Sequence, residues 1–429
     1  MASTPSPRPA WARSSSSLPE RALATLSDRR TVAAVWALGG LLAVFLVYWT
    51  ISHIVSDTVV WSETTGRLLD YRDTVVHTTH FLLDGGNPYD PDTFLKAYPW
   101  SQEFDPYAPA WLLLAFPFGL MPLKVGGTLF VVLLYACEVW MAVRLAQWVS
   151  PRHHRILAPV LFLWMMVWPS TRIVGASTLI VVAILGVCLA LRRPEETWWT
   201  ACLVALSCIK PQFGLPMMVF LLALGRWRTV LRGVAVLVAT SLVPLVACIR
   251  NAGGVPQFAD SIRRDIAYAS SASAPTGLGS EINFRTDVPG ILVRLGFPAM
   301  PGVLQLVFVG ALVLIVVLAL HRLASAELAT VLMTCVILLL PVHSDYDFAL
   351  MWVAAGAAVA WWRSHPGRLA LACAIFALLP LLHMHQVTMA LGLSLPQVSA
   401  ADVLMVLAAL CCALVMAART RSKGNSWAS

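Results

Sequence analysis

The sequence is short of charge. Asp, Glu, Lys and Arg together make up 12% of its 429 residues, about half the ~25% of a soluble domain. Lysine is scarcest, present only as Lys96, Lys124, Lys210 and Lys423. A soluble fold needs polar groups to cover its surface, so this scarcity excludes one or two soluble domains. The apolar content excludes a disordered chain as well. Cysteine is missing from the long polar stretches: Cys137, Cys188, Cys202, Cys208, Cys248, Cys335, Cys373, Cys411 and Cys412 all sit in apolar runs, which excludes a disulfide framework.

What is present is apolar. Hydrophobic residues make up 59% of the chain, and the mean hydropathy is +0.75. Apolar runs recur along nearly the whole length, the pattern of an all-α polytopic membrane protein. About 12 spans of roughly 20 residues would take about 240 residues and leave room for two sizeable loops. The net charge of +8 would point to nucleic acid in a soluble protein. Here the positive charges read as cytoplasmic anchors in a lipid bilayer, and no nucleic-acid partner is expected.

Residues 1–30 are rich in Ser, Pro and Arg and read as a disordered cytoplasmic tail. The apolar run after them is too long for a signal-peptide core and lacks a clear cleavage site, so it reads as a retained span. Candidate spans are 31–52, 125–147, 156–170, 173–191, 198–209, 212–225, 229–249, 302–320, 326–341, 347–362, 368–386 and 399–418. Residues 31–418 then form a single transmembrane domain, and 419–429 a cytoplasmic tail. Arg29 and Arg30, Arg152 and Arg155, Arg192 and Arg193, Arg226 and Arg228, Arg363 and Arg368, and Arg419 and Arg421 all fall inside if the short run 109–122 does not cross. That run holds Pro109, Pro117 and Pro122 and reads as re-entrant or interfacial. Both termini are then cytoplasmic. Loops 53–106 and 250–288 lie outside, with the turns at 171–175, 210–212 and 343–347, so the unusual polar residues gather on one face.

In the first outer loop, Val75, Val76, Phe81, Leu82 and Leu83 predict an amphipathic interfacial helix ended by Gly85 and Gly86. Asp73, His77, His80 and Asp84 follow at spacings of four, three and four, which puts them on one face. The functional reading is a catalytic carboxylate with histidine support, and a divalent metal at this spacing is possible but not required. The bland alternative is a solvated polar face. Asn87-Pro88-Tyr89-Asp90-Pro91 is a turn by composition.

Further along, SCIKPQFGLP (207–216) sets Lys210, Pro211 and Gln212 between two apolar runs. A lysine within the bilayer costs about 2.5–3.5 kcal/mol on insertion scales and marks a functional site by default. With a helix break at Pro211 it suits an anionic group such as a lipid phosphate; a snorkelling lysine is the alternative. Residues 341–347 (PVHSDYD) crowd His343, Asp345 and Asp347 at the outer end of two spans, as a polar site or as helix caps. Loop 250–288 carries Asp260, Arg263, Arg264, Asp265, Arg285 and Asp287 around a small polar centre; it reads as a plain connection, or as a lid.

Taken together, GGNPYDP (85–91), Tyr107-Ala108-Pro109 with LLLAFPFGLMPL, IKPQFGLP before RWR, and PVHSDYDFALM resemble the GT-C glycosyltransferases of the GT87 group, over about residues 65–365. The resemblance implies a GT-C-like bundle in the cell membrane whose active site faces outward, with a polyprenyl-phosphate sugar, mannose or arabinofuranose, as donor. It implies an envelope glycan or glycolipid as acceptor, and an aspartate of the first outer loop as base on the acceptor hydroxyl. That aspartate is Asp73 or Asp70, with Asp73 preferred because it shares a helical face with His77 and His80. Inverting transfer also needs charge stabilisation at the leaving phosphate, for which Lys210 is the candidate, with Gln212, Arg172 and Arg263 beside it. Tyr89, Tyr107, His343, Asp345 and Asp347 would position donor or acceptor. No cofactor is expected. Two other readings remain open at this point: a secondary transporter or lipid flippase using the broken helix at Lys210-Pro211, and a non-catalytic scaffold.

Overall fold

The computed structural model describes residues 71–99, 101, 104, 107–167, 175–269, 285–321, 323, 325–343, 345–382 and 395–420, with short pieces between 33 and 48. The tails, most of the 31–52 run, Asp70 and Arg172 lie outside the described residues. Within them the regular structure is helical, with no strand.

Helix α1 begins as a π-helical turn, Arg72–His77, and continues as α-helix Thr78–Leu83. Then follow α2 (Pro91–Ala97), α3 (Ala110–Gly119), α4 (Leu123–Val149), α5 (His154–Val167), α6 (Gly175–Ala190), α7 (Trp198–Ser207) and α8 (Pro211–Ala223). Next come α9 (Trp227–Ala252), α10 (Val255–Ala269), α11 (Val288–Arg294), α12 (Gly302–Leu320) and α13 (Ala326–Leu339). The chain ends with α14, a 3-10 turn Asp345–Leu350 running into Met351–Ser364, α15 (Arg368–Leu378) and α16 (Leu395–Thr420).

Helix α13 is the hub. Every one of its residues except Glu327 in the first turn is buried, as expected for a helix apolar almost all round, and α14, α16 and α8 pack on it. Its two interior polar side chains are satisfied locally, Thr330 and Thr334 each donating to the carbonyl four residues earlier at 2.8 and 2.7 Å. Helix α12 is the opposite case, just as apolar but almost wholly uncovered by protein; only lipid suits such a surface. Among the described residues, α4, α9, α12 and α16 are long and apolar enough to cross a membrane, while the other apolar helices run 10–17 residues.

Two regions differ from the expectation. Helix α1 is not an interfacial helix with one solvated polar face: Arg72 through Val76 are buried, with α1 packed against α3. The π turn has a longer period than the 3.6 residues assumed from spacing, so Asp73 faces inward while His80 and Asp84 are exposed. The 250–288 segment is not a plain connection either, since it holds the 15-residue helix α10. Asn251, at the end of α9, donates from Nδ2 to the carbonyls of Leu82 and Gly86 at 3.0 and 2.8 Å, tying the end of α1 to this region.

Candidate active site

The first cluster forms where α7 stops and α8 starts. Pro211 sits in the first turn of α8 with Lys210 at the N-cap, where a missing N–H costs nothing. Gly214 lets this turn rest on the preceding chain: a Cβ there would lie 2.3 Å from Cys208 Cα. The break is pinned from the other side by Ala108 N–H donating to the Ile209 carbonyl at 2.8 Å.

From this break the Lys210 ammonium reaches inward. Its Nζ donates to Ser177 Oγ at 3.4 Å and stands 5.4 Å from the centre of the Tyr107 ring, within cation–π range. Ser177 Oγ donates to Asp347 Oδ1 at 3.2 Å. The other oxygen of Asp347 lies 3.1 Å from His343 Nδ1, and the His343 ring meets Phe213 edge-on at 4.6 Å. Lys210, Ser177, His343 and Asp347 are all 3% exposed or less. A cation, a hydroxyl, a carboxylate and an imidazole thus form one chain out of water, contributed by α6, the α7–α8 break, the 341–343 turn and the start of α14. Such a network is stable only when its charges are paired.

The turn that carries His343 has its own support. Val342 adopts φ +69, the left-handed region, where a β-branched residue is strained. Asp287 holds it there. Its Oδ2 accepts from the Val342 and His343 N–H groups at 2.8 and 3.1 Å and from Arg285 Nε at 2.7 Å. Its Oδ1 caps α11 through Gly290 N–H at 2.8 Å. Thr286 N–H donates to the His343 carbonyl at 2.8 Å.

The second cluster centres on Asp73. Arg72 grips its carboxylate bidentately, Nε to Oδ1 at 2.7 Å and the terminal nitrogen to Oδ2 at 3.3 Å, a strong geometry for a buried charge pair. Ser101 Oγ donates to Asp73 Oδ1 at 3.2 Å and lies 2.6 Å from His77 Nδ1. The Ser101 proton is therefore committed to Asp73, which makes His77 Nδ1 the N–H donor. Burial, against the pull of Asp73, pushes the His77 imidazole down to about 4, so it is neutral at pH 7. Its ring stacks on Tyr98 at 4.3 Å.

The two clusters are joined through aromatic side chains. Trp111 Nε1 donates to the Thr74 carbonyl at 3.0 Å, next to Asp73. Tyr107 stacks on Trp111 at 5.6 Å, and its carbonyl accepts from the Tyr89 hydroxyl at 2.6 Å. Tyr107 then faces Lys210.

So the structure brings together Lys210, His343, Asp347 and Tyr107, and separately Asp73 with His77. Gln212 is half-buried on the first turn of α8. Arg263 points outward on α10, 78% exposed, in an ion pair with Asp260 at 2.8 Å. Asp345 belongs to the 3-10 turn of α14, with its side chain outside the described set. Sequence reasoning assigned no role to Ser101, Ser177, Arg72, Arg285 or Asp287. Only Asp287 carried a readable signal, an N-cap type just before Val288-Pro289. Among the described residues, no group of three or more His, Cys, Asp and Glu is placed to hold a metal ion.

The sequence model of glycosyltransferase family 87 matches residues 106–344. The match begins beside Tyr107 and ends just past His343, so it takes in Ser177, Lys210 and Asp287 but not Asp73. No curated protein and no solved structure matches the chain. With more than half of its length under that family's model, the chain belongs to glycosyltransferase family 87 and is a membrane glycosyltransferase.

Proposed function

We propose that this enzyme transfers a sugar, mannose or arabinofuranose, from a polyprenyl-phosphate donor to a hydroxyl of an envelope glycan or glycolipid, with inversion at the anomeric carbon. The reaction would take place on the outer face of the plasma membrane. The observation that carries the reading is the buried Lys210 at the first turn of α8. A cation and a helix N-terminus there would stabilise the charge that builds on a departing lipid phosphate. Gln212, on the same turn, would add a donor.

The step balances simply. The acceptor oxygen forms a bond to the anomeric carbon, and the bond from that carbon to the phosphate oxygen breaks. The electron pair leaves with the phosphate beside Lys210, and the acceptor proton goes to a carboxylate. Asp73 is that carboxylate in this reading: Ser101 and Arg72 fix its orientation and keep it ionised, ready to accept. His343 and Asp347 would hold the ammonium and the break in place.

Twelve spans with both termini in the cytoplasm fit this assignment. Exposed Trp198, Trp199 and Trp227, with Arg232 and Arg228 each 5.2 Å from a Trp ring, have the composition of a membrane–water interface. They lie near the arginines expected inside.

The test is transfer by purified protein in detergent, with radiolabelled polyprenyl-phosphate mannose or arabinose as donor and an envelope glycolipid extract as acceptor. Label should move without any ion gradient, and Asp73→Asn should lower kcat by about 10²–10⁴-fold. Lys210→Met should raise the donor KM. Wild-type turnover in Asp73→Asn and in Asp70→Asn would remove the assigned base, and no label from either donor would overturn the donor class.

A further inference from the structure

Between the GGNPYDP turn and the α9–α10 junction lies a cavity of about 390 Å³, inside the ~300–1,000 Å³ range of small-ligand clefts. Neither the Asp73 cluster nor the Lys210 cluster lines it. Its walls include Phe81, Asn87, Asp90, Thr93, Asp260 and Arg264.

The local sequence builds this site. Gly85 turns the chain at φ +85, where an L side chain is strained. Gly86 lets the Phe81 ring lie against the turn, since a Cβ there would come within 2.5 Å of it. The Asn87 amide is oriented by its own backbone: Oδ1 accepts from Tyr89 N–H at 3.2 Å. Its Nδ2 is thereby set as the donor end, on a residue 5% exposed, and it has no hydrogen-bond partner among the described residues. Leaving a buried amide donor without an acceptor is unfavourable, so the position favours a ligand that accepts from it. Arg264 meets Asp90 at 3.1 Å across the cavity wall.

The charge on the wall decides the ligand class. The guanidinium in the lining, Arg264, is already paired with Asp90, and Asp260 is paired with Arg263, so the wall offers no free cation to hold an anion. A neutral ligand rich in hydroxyls suits the mixture of carboxylate acceptors and amide and guanidinium donors, with an aromatic ring to lie against. Phe81 stands eight residues after Asp73 on α1, on the order of 12 Å along the helix axis. We infer that this cavity is a saccharide subsite, binding an uncharged sugar unit of the acceptor set back from the hydroxyl that reacts. The inference rests on the glycosyl-transfer reading for the word acceptor, but not for the binding itself.

The experiment uses full-length protein in detergent with no donor present. Mannotetraose and arabinotetraose are the probes, read by saturation-transfer NMR. Wild-type protein should saturate at least one of them, and Thr93→Trp, which fills the cavity from an exposed position, should abolish the signal. Asp90→Asn, with its partner Arg264 half in solvent, should weaken it about tenfold while leaving the melting temperature in place. In the transfer assay, Thr93→Trp should raise acceptor KM about tenfold with kcat and donor KM unchanged. Absence of saccharide binding in the wild type, undiminished binding in Thr93→Trp, or displacement of the probes by millimolar inorganic phosphate would each overturn the subsite. Saccharide binding lost in Thr93→Trp, in a protein that transfers from neither polyprenyl-phosphate donor, would keep the subsite and remove the donor assignment.

Discussion

The indole of Trp111 donates to the carbonyl of Thr74 at 3.0 Å, across 37 positions of sequence. This bond fixes the helix that carries Asp73 to the aromatic stack that ends over Lys210. A base and a phosphate-stabilising cation must keep their separation to well under an ångström for an in-line displacement. Trp111→Phe keeps an aromatic side chain, removes the donor and leaves a gap where the second ring of the indole lay. It should cost about 1 kcal/mol of stability for the hydrogen bond with a further cost for the gap, and lower kcat more than it raises either KM. Equal kcat in the two proteins would show that the bond does not set the geometry.

His77 supplies a pH signature. Its imidazole is pushed from 6.5 down to about 4 by burial, so between those values the unfolded chain takes up a proton that the folded one refuses. Stability from this group is complete above pH 6.5, falls as pH drops through the window, and levels off below 4. The melting temperature of wild-type protein should therefore drop more between pH 7 and pH 5 than that of His77→Gln. Identical drops would deny the buried neutral imidazole.

Asp287 is the residue to remove if the His343 turn is to be released. Asp287→Ala leaves Arg285, 5% exposed, without its carboxylate and frees three backbone donors, a class of change that costs about 3–5 kcal/mol. Asp287→Asn keeps the size and part of the hydrogen bonding and should cost less. If the turn serves only the fold, the two variants that survive purification will share the wild-type donor KM. If it orients His343 and Asp347 toward Lys210, donor KM should rise in both.

Gly214→Ala tests the helix break directly. The added methyl meets main-chain and side-chain atoms of Cys208, at 2.3 Å from both Cα and Sγ, and a backbone atom cannot rotate away. A penalty of about 1–3 kcal/mol is expected, together with weaker donor binding as the first turn of α8 lifts off. Gly310→Ala, inside α12 and meeting nothing within 4 Å, is the control and should lose neither stability nor donor binding.

Much of the helical pattern could be read from composition, because an uninterrupted apolar run has few other options: 302–320 was expected as a span and is α12, Gly302–Leu320. The Lys210 break could be read too, since proline after a lone lysine marks both a helix start and a charge that needs a partner. His343 and Asp347 could be placed together at the end of two spans, though the pair they form could not be read. What could not be read is what spacing alone does not encode. The partner of Lys210 is Ser177, 33 positions away. Asp73 is gripped by its neighbour Arg72, and of the expected helical face only His77 stands beside it, at 3.5 Å. The Arg285–Asp287 clamp looks from sequence like two more loop charges.

The π turn at Arg72–His77 has a meaning for descent as well as for chemistry. In a π turn the backbone bonds reach one residue further than in an α-helix, so the turn absorbs an extra residue without changing the direction in which later residues face. Removing a single residue between positions 72 and 77 would let the helix relax to the ordinary period and leave Phe81 on its glycine turn. Only the side chains of the turn itself, Asp73 among them, would change the way they face. A descendant could therefore lose the carboxylate's inward setting through one three-nucleotide deletion and keep the rest of the helix in place.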